Sequence, residues 1–338
     1  MSYVHGIGTV SAIGREPASL GVERAGLTRS HAFDILELQD TPFVQGDLEE
    51  TAARDAFRMA FEASRAALAD AGVDPAFEEV SLVVSTGAGD TAALEAGLDN
   101  CRPYDLARRL AEELGLSGRF MTVTTACASA SYGASAALDL MADGASTVLL
   151  CGVEAKSDTS QYTFKSLMAL DPDGCRPFAE ARKGTVLGAG AAALVLREAP
   201  SDYGRISAVT LTCDGYHDTA PDPDGHALRR AMCEALQQSG CTPTEIDLFV
   251  PHATGTQLND EIERGLLDEV FGEAALPDRM ILLKGDIGHT CGASSAFSMV
   301  AAARRLQSGA AHAAFIGANA FGGNNACLVM HKSDEVPA

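Results

Sequence analysis

The chain has 338 residues, which is room for roughly two domain-sized units at about 150 residues each, and its 46 acidic against 25 basic residues leave a formal charge of −21 with histidine neutral. With 46% apolar and 21% charged residues it can bury a large core and is neither disordered nor fibrous. A field this acidic excludes nucleic acid and anionic membrane as partners of the whole surface, because phosphate binding needs clustered Lys and Arg.

The first β-type run covers 3–10. A helical segment ending at Gly72, a Val-Asp-Pro turn and a strand over 80–85 come next. A strand over 119–125, a helix over 128–142 and a strand over 146–152 follow, and a β-type run over 186–197 closes this set. The same series then returns: a strand over 205–212, a helical segment ending at Gly240, a Cys-Thr-Pro turn and a strand over 246–251. It continues with 279–284, a helix over 292–306, and strands over 312–317 and 326–331. Leu68 matches Leu236, Gly72 matches Gly240 and Pro75 matches Pro243. Alternating β and α segments predict an α/β fold with mostly parallel inner strands. The repetition predicts two pseudo-duplicated halves, at about 1–200 and 201–338.

Nine cysteines without a CxxC pair fit reduced thiols better than a disulfide scaffold. The N-terminal residues lack the basic and apolar regions of a signal peptide, and no apolar run reaches the ~18 residues of a spanning helix. A cytoplasmic protein is the expectation.

Functional groups in α/β sheets gather beyond the carboxyl ends of strands, and three residues stand there. Cys127 lies in Thr-Thr-Ala-Cys-Ala-Ser-Ala (124–130), at a strand-to-helix turn where the helix N-terminus favours a thiolate. A buried inert cysteine is the competing reading of that segment alone, and it is the reading given to the other eight cysteines. His252 follows an apolar strand in Pro-His-Ala-Thr-Gly-Thr-Gln-Leu-Asn-Asp-Glu-Ile-Glu, which runs into a helix carrying Asp260 and Glu263. His289 stands five residues after Lys284 in Lys-Gly-Asp-Ile-Gly-His-Thr-Cys-Gly. No spacing resembles a structural zinc pattern, so no metal is expected.

Together these segments resemble β-ketoacyl-acyl carrier protein synthases of the Cys-His-His elongating type, in the thiolase superfamily. The resemblance runs nearly end to end. It includes Tyr-Val-His-Gly-Ile-Gly-Thr-Val-Ser-Ala-Ile-Gly (3–14), the nucleophile motif, the connecting segment 173–196 and the glycine loop Asn-Ala-Phe-Gly-Gly-Asn-Asn-Ala (319–326). It implies a thiolase-like fold, two halves in a layered αβαβα architecture. It also implies a ping-pong condensation in which Cys127 carries the acyl group and His252 and His289 stabilise the malonyl enolate. The N–H groups of Cys127 and Phe321 would form the oxyanion hole. Lys284 and Glu263 would tune and organise the histidines, Phe321 would gate the nucleophile, and Asp260 would brace its helix.

Implied substrates are thioesters on acyl carrier protein phosphopantetheine or coenzyme A, with no bound cofactor. Implied partners are an acyl carrier protein and a second subunit, in a homodimer or a ketosynthase heterodimer. Basic candidates for carrier docking are Arg54, Arg58 and Arg65, then Arg102, Arg108 and Arg109, then Arg304 and Arg305. Departures from the family pattern are short stretches over 14–56 and 89–127, Phe-Gly-Gly where Phe-Gly-Phe-Gly-Gly is usual, Ala189 for an acid and Ala253 for a glycine. They point to a compact, divergent member in specialised polyketide, polyene or fatty-acid-like synthesis. The alternatives are a ketosynthase-like acyltransferase or thioesterase, and a chain-length-setting subunit of a heterodimer.

Overall fold

The structure is a computed structural model that describes residues 2–11, 29–30, 43–44, 50–99 and 101–333. Its strands are β1 (Ser2–Ser11), β2 (Arg29–Ser30), β3 (Phe43–Val44), β4 (Ser81–Ser85), β5 (Phe120–Val123), β6 (Thr147–Glu154), β7 (Leu187–Gly188), β8 (Gly190–Arg197), β9 (Arg205–Cys213), β10 (Leu248–Val250), β11 (Ala313–Asn319) and β12 (Asn324–His331). The α-helices are α1 (Glu50–Ala53), α2 (Ala56–Asp70), α3 (Thr91–Glu95), α4 (Pro103–Leu114), α5 (Ser129–Ala142), α6 (Asp158–Ser166), α7 (His226–Ser239), α8 (Gln257–Phe271), α9 (Leu283–Ile287) and α10 (Ser294–Gln307).

Nine strands form one sheet in the order β10-β11-β12-β9-β1-β8-β6-β4-β5. The duplication is visible in that order, because β4-β6-β8-β1 on one side is matched by β10-β11-β12-β9 on the other. The two sides meet where Ser2 and Tyr3 pair with Ile206 and Arg205. Each half also ends its first outer helix on a left-handed glycine, Gly72 at φ 65° and Gly240 at φ 75°. That conformation suits glycine and stops a helix.

Alternation along the strands sorts the core into layers. Leu150, Leu194, Ile316 and Leu328 face a central layer made by α5 and α10. Their neighbours Leu149, Ala193 and Val195 face α2 and α4, while Phe315, Cys327 and Val329 face α7 and α8. The result is the expected αβαβα stack. α10 packs on β8 and β6 as well as on β11 and β12, so the two halves share their middle layer.

Three expectations are corrected. The sheet is mixed: only β10–β11, β4–β5 and β4–β6 are parallel, whereas β1–β8, β1–β9, β6–β8, β11–β12 and β9–β12 are antiparallel. A strand buried on both faces is a continuous apolar run whichever way it points, so its direction is not written in its hydropathy. Residues 279–284 form no strand; Met280 makes a single bridge to Phe249, and the chain then enters α9. The run 186–197 is split, because β7 leaves to pair with β3 in a small separate sheet. Most of the short stretch 14–56 lies outside the described residues.

The outer helix α2 lies unusually close to β1. A Cβ on Gly6 would stand 2.2 Å from the carbonyl oxygen of Ala67, and one on Gly8 would stand 2.2 Å from that of Ala63. Both obstacles are backbone and cannot rotate away. Replacing Gly8→Ala should therefore lower unfolding free energy by on the order of 1–3 kcal/mol or more, read from the urea midpoint at unchanged slope. An unchanged midpoint would contradict this packing.

Candidate active site

Cys127 sits in a short turn between β5 and α5, entered through Ala126 at φ 48°. The turn brings the thiol to the start of a 14-residue helix, where unpaired N–H groups favour negative charge. Its sulfur lies 3.1 Å from His289 Nε2. The half-buried Cys291 thiol, hydrogen-bonded to it, holds Cys127 well below the usual thiol range, and the His289 imidazole and the Lys284 ammonium act in the same direction against burial. The same contact pushes Cys291 well above that range.

His289 is fixed at both ends. Its N–H donates to Val186 O at 2.6 Å and its carbonyl accepts from Gly188 N at 3.1 Å, so the strand that splits off the main sheet carries the histidine's backbone. Its Nδ1 lies 3.1 Å from Ser294 Oγ, which leaves Nε2 facing Cys127.

His252 follows β10, and its own peptide is gripped from two sides. Its N–H donates to Glu263 Oε1 at 2.6 Å, and the next N–H, of Ala253, donates to Glu263 Oε2 at 2.7 Å. Its carbonyl accepts from Lys284 Nζ. Burial, the Lys284 ammonium and His289 hold the His252 imidazole well below the usual histidine range, so it is neutral. Burial pushes Glu263 up to about 7 and lowers Lys284. The two imidazole rings stand 5.5 Å apart and nearly perpendicular, at 88°.

The nucleophile and both imidazoles open onto a cavity of about 330 Å³. Cys127, His252 and His289 line it with Phe321, whose ring stacks on Phe164 at 5.5 Å. Phe164 also meets His289 edge-on at 6.0 Å. Lys284 and Glu263 are absent from the lining; their hydrogen bonds reach the site through the His252 and Ala253 backbone, and the Lys284 charge also acts on Cys127 and the His252 ring. Asp260 accepts N–H groups from Phe178 at 2.7 Å and Gly255 at 3.1 Å, which braces the loop after His252.

Three contributors were not singled out by the sequence reading. Cys291 carries no signal of its own beyond standing two residues from His289. Phe164 sits in α6, away from any motif. Glu154 ends β6, where the strand-end rule could have found it. Its Oε2 accepts N–H groups from Gly87 at 2.8 Å and Gly292 at 2.9 Å, and burial pushes its carboxyl up to about 8.

Among the described residues, two groups place metal-ligating atoms within 4.8 Å of one another: Cys127 with His289 and Cys291, and Asp222 with Asp224 and His226. Of the basic docking candidates, Arg54 pairs with Asp158 at 2.8 Å, Arg58 with Glu62 at 3.1 Å and Arg108 with Glu112 at 2.8 Å. Arg109 lies over the Phe57 ring, Arg102 donates to Tyr104 and Arg304 to Gln307. Arg65 is exposed and Arg305 half-buried. No helix among the described residues is long and apolar enough to cross a membrane.

Comparison with known proteins places these features in a family. Residues 23–201 match the β-ketoacyl synthase N-terminal domain and residues 203–315 its C-terminal domain. Nodulation protein E of Rhizobium meliloti is 33% identical over 61% of this chain and 53% of its own length, so the chain spans about half of that relative. The 3-oxoacyl-[acyl-carrier-protein] synthase 2 of Synechocystis is 30% identical over 79% of this chain and 72% of its own. A solved structure described as the ishigamide ketosynthase/chain length factor superposes with a TM-score of 0.83 at 26% identity, over 98% of this chain and 99% of that one.

Glu154 ionises in the unfolded chain near 4.5 and in the folded protein near 8, so between those values the folded state holds a proton that the unfolded state has lost. Stability from this group is complete below about 4.5 and is lost as pH rises through 8, at up to about 1.4 kcal/mol per pH unit. A glutamine oxygen can accept both N–H groups, so Glu154→Gln should remain folded and lose less stability than the native protein between pH 5 and 8; parallel curves for the two proteins would refute this. Ala253 is held at φ 42°, where a side chain is strained. Ala253→Gly should stabilise by about 1 kcal/mol or less, after the entropy cost of glycine, as a rise in denaturation midpoint.

Proposed function

The chain belongs to the β-ketoacyl synthase family, and we propose that it catalyses the decarboxylative Claisen condensation of an acyl thioester with a malonyl thioester. The observation that carries this reading is the Cys127 sulfur 3.1 Å from one imidazole, with a second imidazole crossing the first at 88°, where all three open onto a cavity.

The Cys127 thiolate attacks the acyl thioester carbon, and the carrier thiol leaves with a proton. N–H groups of Cys127 and Phe321 hold the oxyanion. The malonyl thioester then places its carbonyl oxygen between His252 and His289. A neutral His252 serves here as a hydrogen-bond donor, and two imidazoles aimed at one oxygen stabilise the enolate as carbon dioxide departs. The C–C bonding pair becomes the carbanion, which attacks the acyl carbon and expels the Cys127 thiolate. Lys284 and Glu263 act as positioning residues through the His252 peptide.

Substrates arrive on an acyl carrier protein or on coenzyme A, and the chemistry calls for no further cofactor. The specialised role expected from the short loops is a polyketide, polyene or fatty-acid-like pathway in the cytoplasm. The second subunit docks along β5, one of the sheet's two edge strands, where Phe120 and the nearby Tyr104 are exposed. It is a second copy of this chain or a chain-length partner.

The test combines product analysis with intact and native mass spectrometry. Acyl and malonyl carrier proteins should yield a β-ketoacyl product and an acyl adduct on the native protein, and Cys127→Ala should lose both. Transfer to acceptors without malonyl would point to an acyltransferase, and no adduct at all would point to a chain-length subunit. Native mass spectra of the same samples report whether the assembly is a homodimer.

A further inference from the structure

The nucleophile has an unexpected neighbour, because Cys291 brings a second thiol to the side of Cys127 that His289 also faces. Cys127 Sγ, the His289 ring nitrogen and Cys291 Sγ all lie within 4.8 Å of one another. Two sulfurs and one imidazole nitrogen are a soft donor set suited to zinc. At zinc distances of about 2.3 Å to sulfur and about 2.0 Å to nitrogen, tetrahedral ligands stand about 3.5–3.8 Å apart. The Cys127–His289 contact of 3.1 Å is a few tenths of an ångström shorter than that spacing, and the other two pairs lie within 4.8 Å, so small side-chain adjustments reach it.

The ligands are also prepared for the task. Ser294 Oγ lies 3.1 Å from His289 Nδ1 and turns Nε2 toward the sulfurs, the outer support that metal-bound histidines ordinarily have. The Cys291 loop has no slack: a Cβ on Gly292 would stand 2.1 Å from Gly87 N, and Glu154 holds the N–H groups of both glycines. Cys127 and His289 line the cavity, so a fourth coordination position faces space large enough for water or a small ligand.

We infer that Cys127, His289 and Cys291 form a three-ligand site for zinc, with its fourth position open to the substrate cavity, and that zinc bound there silences the nucleophile. Binding forms two sulfur–metal bonds and one nitrogen–metal bond, and the Cys291 thiol proton, with any proton held between Cys127 and His289, is released to solvent. No oxidation state changes. Such a site escapes a search for zinc spacing because its ligands come from the two halves of the chain. The inference goes beyond the condensation reading, and the binding step is independent of it.

The experiment uses the full chain, reduced and stripped of metal, titrated with Co²⁺ and then with Zn²⁺. A thiolate-to-cobalt charge-transfer band should saturate at one equivalent and vanish as zinc displaces cobalt. Cys291→Ser should keep its circular dichroism, lose the band and bind zinc at least about 100-fold more weakly, since loss of even an outer-shell partner costs 10–100-fold. Cys291→Ala gives the same reading if the serine variant fails to fold. Zinc should also slow alkylation of Cys127 in the native protein. A cobalt spectrum without the band would place the ion at the surface group Asp222, Asp224 and His226 and overturn the inference. A band that persists in both Cys291 variants would overturn it as well. Neither outcome bears on condensation, which product formation reads separately.

Discussion

The site depends on how one peptide unit is held. His252 is buried, and its backbone is fixed by a buried ammonium on the carbonyl and a buried carboxylate on the N–H. Ionised groups in such surroundings are costly unless each finds a partner, and removing one member of a buried pair typically costs about 3–5 kcal/mol because the other is left uncompensated. Lys284 and Glu263 satisfy each other across the His252 peptide. Burial, together with the Lys284 charge that stabilises this loop, keeps the imidazole neutral, so positioning and electrostatics come from one arrangement.

That loop needs space as well as charge. A Cβ on Gly317 of β11 would approach Glu263 Oε1 to 3.1 Å, so the strand next to β10 is bare where the carboxylate lies. On the other half, a Cβ on Gly152 of β6 would stand 2.7 Å from Ala296 Cβ of α10. α10 carries Ser294 at its start and is preceded by the loop bearing His289 and Cys291. Close approach of strand and helix therefore sets where these side chains emerge. Sharing α10 between both halves makes Cys127, from one half, and His289, from the other, neighbours in space.

Much of this was legible in the amino-acid sequence, for identifiable reasons. Cys127 and His252 each follow an apolar run that ends in small or turn-forming residues, and their strands β5 and β10 run parallel to β4 and β11, so both residues stand beyond carboxyl ends of parallel strands. The repeat was legible because its helix stops use glycine in a conformation other residues avoid, at Gly72 and Gly240 alike. The direction of β8 and β12 was not, since both are buried on both faces and carry no alternation of polarity. Residues 279–284 mimic a strand in composition, yet the segment makes a single bridge, Met280 to Phe249, before Lys284 turns inward to reach His252. Cys291 escaped notice because its importance is a matter of distance to a residue 164 positions earlier.

Two buried carboxyls frame the centre from opposite ends, and the comparison between them explains why its loops stay in register. Glu263 takes the N–H groups of His252 and Ala253, and Glu154 takes those of Gly87 and Gly292. In each case one side chain satisfies two main-chain donors that water cannot reach, which an apolar side chain could not do without leaving both unpaired. Both carboxyls are raised by burial, to about 7 and about 8, and neither touches the cavity. They differ in span. Glu263 ties together residues of one half, whereas Glu154 comes from the first half and holds a loop of each. The nucleophile's half is thereby fastened to the loop that carries His289 and Cys291 through main-chain N–H groups, leaving the His289 side chain free to face the cavity.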